Sequence, residues 1–252
     1  MQKYFSENLL NIILQMKINI LSPHIDDAAY CLALTISKCV KCKMEITIIN
    51  CFTVTDWAIR FVSKDKNEIS LLRKKEDEQF YKSFDFPITI VNLDLLDAPL
   101  RSGFIFQENV FGEKEWEMVQ ELKTYLENYV DGILFCPLAI GDHIDHAICR
   151  EAVMELYKKI KVIFFEDLPY AFRISKDEIL AHINDLQKNL NVKLIHQINS
   201  CEQLSFDKEQ LIRIYDTQIN EDVCAEIIAH MNAVCGERFW GEAKVLQELN
   251  SF

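Results

Sequence analysis

Glycine is scarce in this chain: there are six in 252 residues, and the first is Gly103. Dinucleotide fingerprints and phosphate-binding loops need glycine just after a strand, so that backbone can approach phosphate. The first hundred residues cannot supply one, and no G-x-S-x-G nucleophile elbow occurs anywhere. Nucleotide-cofactor binding of the usual Rossmann kind and serine-hydrolase chemistry are therefore poor readings. Positive charge is also short, with 27 Lys+Arg against 39 Asp+Glu and a net charge of −12. That argues against a nucleic-acid partner, whose binding rests on neutralised phosphates, and against an anionic membrane surface. No run of 18 apolar residues exists, so no membrane-spanning helix is expected. The apolar stretch 9–14 is soon interrupted by Lys17 and has no small-residue cleavage site, so it is not expected to be a signal peptide. Repeats, low-complexity tracts and linkers rich in Gly, Ser or Pro are lacking too.

What is there is the composition of an ordinary globular protein, 50% hydrophobic and 26% charged. A chain of this length buries about 70% of its unfolded surface, enough for one large core without staples. One domain over 1–252 is expected, with a core at about 17–170 and a C-terminal elaboration at about 171–252. The nine cysteines are odd in number and irregularly spaced, mostly in apolar runs such as Cys51-Phe52 and Phe135-Cys136. They read as small buried hydrophobes in a reducing cytoplasm. Cys39-x-x-Cys42 lacks the second pair that a zinc ribbon needs.

Short β-branched runs alternate with longer helical patterns. Strands are predicted at 18–21, 46–49, 88–91, 132–135 and 162–165, and helices at 27–38, 68–83, 115–129 and 145–157. This alternation implies crossovers and a mostly parallel sheet with helices on both faces. Beyond Tyr170 the pattern turns mainly helical, with one possible strand at 193–195. In such a sheet ligands bind at the carboxyl ends of the strands.

Two of those ends carry unusual chemistry. The first strand runs into Ser22-Pro23-His24-Ile25-Asp26-Asp27, one histidine and two carboxylates at a helix start. Helix capping by Asp26 or Asp27 is one reading; it leaves His24 and the second carboxylate without a role. The fourth strand runs into Gly141-Asp142-His143-Ile144-Asp145-His146. On a helix, His143 and His146 would share a face and could meet one metal or one substrate, while Asp145 could cap the helix or hold an imidazole in one tautomer. Two histidines and an aspartate can form a three-ligand hydrolytic centre with an open position. The second aspartate then stays free as a general base, and the remaining histidine can stabilise an oxyanion. His182, His196 and His230 stand alone and read as structural, and Cys149 has no evident activating partner.

The segment 22–27 and His143-Ile144-Asp145-His146 resemble the two signature motifs of the PIG-L/LmbE-like N-deacetylases. Arg73-Lys74-Lys75-Glu76, Leu95 to Arg101, Phe165 to Tyr170, Tyr215 to Gln218 and Glu237 to Trp240 resemble later blocks of that family. The resemblance implies a Rossmann-like three-layer α/β/α fold and zinc-dependent removal of acyl groups from N-acetylated amino sugars. It implies His24, Asp27 and His146 as zinc ligands and Asp26 as general base. His143 would polarise the carbonyl or protonate the leaving amine, supported by Asp145, and Arg73 and Asp97 would touch substrate. Ala28 departs from the pattern, in which glutamate is common at that place. Ferrous iron also suits two histidines and a carboxylate. An amidase acting on a non-sugar amide and a non-catalytic metal-binding protein are the alternatives.

Overall fold

The structure, a computed structural model, describes residues 16–60, 65–101, 103, 111–200 and 207–251. The apolar stretch 9–14 and Cys201 lie outside the described residues. The elements follow in chain order. The first half holds β1 (Lys17–Ser22), α1 (Asp27–Lys41), β2 (Glu45–Asn50), α2 (Lys66–Lys82), β3 (Thr89–Asn92) and the short α3 (Ala98–Arg101). Next come α4 (Glu113–Tyr129), β4 (Ile133–Pro137), α5 (Ile144–Met154), β5 (Lys161–Phe165) and α6 (Lys176–Leu190). The chain closes with β6 (Ile195–Ser200), α7 (Lys208–Ile212), α8 (Glu221–Val234), β7 (Gly236–Gly241) and α9 (Ala243–Asn250).

The strands form one sheet in the order β3-β2-β1-β4-β5-β7-β6. The first five are parallel, with Ile20 of β1 in register with Ile48 on one side and Phe135 on the other. β1 and β4 are buried almost throughout, as central strands covered on both faces must be. The chain steps outward from β1 to β2 to β3, returns to β4 beside β1, and then steps the other way to β5. Right-handed crossovers running in opposite directions put α1 and α5 on opposite faces. They also make the gap between β1 and β4 the switch point where neighbouring loops diverge and leave a crevice. Both histidine motifs leave the sheet at this point.

The part beyond Tyr170 is less helical than its sequence pattern suggests. The strand expected at 193–195 begins at Ile195 and reaches Ser200, and β7, which the periodicity does not show, lies between β5 and β6, antiparallel to both. β7 carries Glu237 and Arg238 in buried ion pairs, and only their partners make such charges compatible with a central strand. Glu237 also has work in α1. That helix breaks at Leu32 (φ −133°, ψ 17°). The Glu237 carboxylate accepts the freed Leu34 and Thr35 N–H groups at 2.9 and 2.8 Å, and Lys208 Nζ donates to it at 2.8 Å. Glu237→Ala would leave the Lys208 ammonium buried and unpaired, at a cost of about 3–5 kcal/mol. Urea unfolding should show this as a lower midpoint; a loss below about 1 kcal/mol would mean that Lys208 reaches water.

Candidate active site

After β1 the turn is closed by Ser22, whose Oγ accepts the Ala28 N–H at 3.0 Å and so caps α1. Asp26 makes no side-chain cap bond. Its Oδ1 accepts from Arg73 Nη2 at 3.0 Å instead, and the carboxylate lies in a cavity wall. The capping reading therefore does not hold for Asp26. Asp27 turns inward, with Oδ2 accepting the His24 backbone N–H at 2.7 Å.

After β4 the chain passes through left-handed backbone at Ala139, Gly141 and Asp142 (φ 59°, 87° and 56°). A Cβ on Gly141 would come within 2.6 Å of the Tyr170 side chain, so glycine serves both the turn and the contact. Non-glycine residues in this region cost about 1 kcal/mol or more each, and surrounding bonds must hold them there. Asp167 supplies one: its Oδ2 accepts the Ile140 N–H at 3.0 Å. The turn delivers His143 to the start of α5, where Nδ1 accepts the Asp145 N–H at 3.2 Å.

Three atoms converge at the centre. His24 Nδ1 lies 3.2 Å from Asp27 Oδ2, His146 Nε2 lies 3.3 Å from the same oxygen, and the two nitrogens are 3.3 Å apart. Ligands at about 2.0–2.1 Å around a tetrahedral ion stand roughly 3.3–3.4 Å from one another. The triangle therefore has the size that a zinc-like ion requires and leaves one face for water or substrate. Each imidazole is held from behind by a carboxylate: His24 Nε2 by Asp145 Oδ2 at 3.0 Å and His146 Nδ1 by Asp167 Oδ1 at 2.6 Å. Such partners orient metal-binding histidines and raise their basicity. The three histidines also bring one nitrogen each within 4.8 Å of one another. That set is wider, and His143 spends Nδ1 on the helix cap, so Asp27 is the better third ligand.

The electrostatics suit a cation. Burial alone would lower the His24 pKa, but hydrogen bonds and charge from Asp145 and Asp27 overcome it and raise it to about 9. Burial opposes charge on His146 as well, yet Asp27 and Asp167 hold its pKa well above the usual value. Burial pushes the Asp145 carboxyl up, and the His24 bond and charge, followed by Arg101, outweigh it and bring it down to about 2. Three carboxylates thus stabilise positive charge on two imidazoles, the charge a divalent metal would replace. His143 behaves oppositely: burial, then the His24 and His146 charges, lower it to about 2. It is a neutral ring, and because Nδ1 accepts a hydrogen bond, its proton sits on Nε2.

Asp145 is expected to support His143; its backbone N–H donates to His143 Nδ1, and its carboxylate meets His24, Arg101 Nη2 (2.7 Å) and the Ala98 N–H (3.0 Å) instead. Arg73 and Asp97 line the same cavity, Arg73 as the partner of Asp26 and Asp97 with Oδ1 accepting the Leu100 N–H at 3.3 Å. The cavity measures about 400 Å³, within the range of small-molecule sites. Burial and the Cys51 sulfur hold the Cys149 thiol well above its usual pKa, and His230 pairs with Glu166 at 2.9 Å.

Asp167 has no signal of its own in residue type, but its position two residues beyond β5, on the same edge as both motifs, is a usable one. Asp167→Asn removes the charge behind His146 and should weaken metal binding about 10–100-fold. Competition against a chromogenic chelator measures this, and an unchanged affinity would reduce Asp167 to a clamp on the Ile140 turn.

Solved structures share this fold at low identity. A deacetylase of teicoplanin biosynthesis superposes with a TM-score of 0.67 at 16% identity, covering 89% of this chain and 97% of that one. Teicoplanin deacetylase in a zinc-inhibited form gives 0.65 at 18%, over 89% and 97%. The N,N'-diacetylchitobiose deacetylase of Pyrococcus horikoshii gives 0.53 at 17%, over 92% and 85%. A 4-carboxy-2-hydroxymuconate hydratase from Pseudomonas putida gives 0.56 at 12%, over 90% and 95%, so the fold alone does not select the reaction. No curated protein matches the chain significantly. A family model described as GlcNAc-PI de-N-acetylase matches residues 19–157, which span both motifs and the ends of β1 to β4. On that match, the chain belongs to the PIG-L family of de-N-acetylases.

Proposed function

We propose that this protein is a metal-dependent N-deacetylase that hydrolyses the amide of an N-acetylated amino sugar or its conjugate. The observation that carries the reading is the His24–Asp27–His146 triangle with edges of 3.2–3.3 Å, beside a carboxylate, Asp26, that neither caps the helix nor joins the triangle. The donor set of two nitrogens and one oxygen suits zinc, with ferrous iron as the second choice. Such a metal, when bound, supplies Lewis acidity and brings the pKa of water towards neutrality.

The remaining chemistry belongs to the chain's own groups. Asp26 takes the proton of the attacking water, with the Arg73 guanidinium holding the carboxylate in the cavity wall through the bond to Oδ1. As the water oxygen bonds to the amide carbon, the carbonyl oxygen gains charge, and His143 Nε2–H stabilises it. The proton held by Asp26 passes to the nitrogen as the C–N bond breaks, giving a free amine and acetic acid, which loses its remaining proton to solvent and leaves as acetate. The described cysteines are free thiols, in keeping with a cytoplasmic location, and among the described residues no helix is long and apolar enough to cross a membrane.

The test is an amine-release assay with fluorescamine on N-acetylglucosamine conjugates, using protein loaded with about one divalent metal per chain. Equal amounts of acetate and amine are expected, and a chelator should abolish both. A loaded protein that releases no amine from any conjugate would overturn the reading. Amine released only from non-sugar amides would move the substrate class and leave the chemistry in place.

A further inference from the structure

Of the residues that line the cavity, His24, Asp26, Asp27, Arg73 and His143 are buried or half-buried and form a polar floor, while Trp57, Ile59 and Arg173 are exposed and stand at the mouth. Trp57 and Ile59 are 50% and 40% exposed. A large indole left half in water is a poor arrangement for the free protein, and the backbone that carries it is well tied down. The Trp57 backbone N–H donates to Thr55 Oγ1 at 3.0 Å, and its backbone carbonyl accepts from Gln218 Nε2 at 3.1 Å. The Ile59 N–H donates to the Thr217 carbonyl at 2.7 Å. Thr217 is itself fixed by Glu76, which accepts its N–H at 2.9 Å and its hydroxyl at 2.6 Å. Glu76 sits one helical turn from Arg73, so α2 anchors both the partner of Asp26 and the segment that carries the indole. A half-exposed aromatic on a tied-down backbone segment in the wall of a reaction cavity is a contact surface whose backbone a ligand does not have to order.

Charge narrows what the mouth accepts. The two arginines that line the cavity are already paired: Arg73 with Asp26 at 3.0 Å, and Arg173 with Glu226 at 3.0 Å through Nε and 2.7 Å through Nη2. The Arg173 guanidinium also lies over the Tyr170 ring, 5.9 Å from its centroid. A phosphorylated group in the mouth would have to break one of these pairs within a chain of net charge −12.

We propose that Trp57 is a specificity-determining residue whose indole packs against an uncharged, apolar aglycone, aryl or alkyl, on the amino-sugar substrate. This rests on the deacetylase reading above and adds to it the part of the substrate that does not react. Binding energy from that remote group then helps to position the amide over the floor.

The experiment compares phenyl and methyl glycosides of N-acetylglucosamine, N-acetylglucosamine 1-phosphate and N,N'-diacetylchitobiose, with the wild type, Trp57→Phe and Trp57→Ala. The phenyl glycoside should exceed the methyl glycoside about tenfold in kcat/KM, mostly through KM. Trp57→Phe should keep most of that ratio, and Trp57→Ala should bring it close to one. A wild-type ratio near one, a ratio that survives Trp57→Ala, or a better rate on the glycosyl phosphate or the disaccharide would overturn the proposal. If none of these sugars releases amine, the deacetylase reading fails by itself. The platform is then tested by calorimetry with phenyl and methyl glucosaminides, where the same ratio and the same loss in Trp57→Ala are expected. Equal affinities, or no binding of either, would overturn it.

Discussion

Asp26→Asn should keep its metal and lose about 10²–10⁴-fold in kcat, roughly 3–5.5 kcal/mol of barrier. Asparagine matches aspartate in size and still accepts the Arg73 hydrogen bond seen at 3.0 Å, but it cannot take a proton. It is also as good a helix cap as aspartate, so a residue whose work was capping would tolerate the change with turnover almost intact. The structure has already given the cap to Ser22, whose Oγ accepts the Ala28 N–H. The measurement is kcat and bound metal for the variant beside wild type, with a thermal unfolding curve to exclude loss of fold through the weakened Arg73 pair. A fully loaded, folded Asp26→Asn with more than about a third of normal kcat would remove the general-base role.

The second large effect separates the two histidines of one motif. His146→Ala and His24→Ala each delete a corner of the 3.2–3.3 Å triangle, and each should lose metal. The expected loss of affinity exceeds the ~10–100-fold that removal of an outer hydrogen-bonding partner costs. His143→Ala should retain the metal and lose turnover, since that ring is neutral, spends Nδ1 on the Asp145 N–H and stands outside the triangle. Elemental analysis of the three variants after identical loading decides the matter. If His143→Ala is metal-free while His146→Ala stays loaded, the assignment within this motif is reversed; if all three variants lose the metal, the wider three-histidine set is the ligand set.

Much of this was legible in the chain because local signals carry it. Period-two and helical patterns mark β1 to β5 and their crossover helices to within a few residues, and parallel strands with crossovers imply covered faces and a site at the carboxyl ends. His24, Asp26 and Asp27 follow the end of β1 directly, and His143 and His146 lie in the loop and helix start that follow β4, so the chemistry was readable from residue type and place. Tertiary structure alone decided how these groups divide the work. Strand order brings β4 beside β1 and so joins loops 120 residues apart, a pairing no local pattern encodes. The direction of each side chain follows from the partner it meets: Asp26 turns to Arg73, and the Asp145 carboxylate to His24. Asp167 reaches His146 from a third strand end. β7 is hidden in sequence because Glu237 and Arg238 look like surface charges until Lys208 and Glu166 are placed against them. Sequence periodicity records which face of an element is buried; the energy of a buried charge depends on its partner across the fold, and that is settled only when the chain closes on itself.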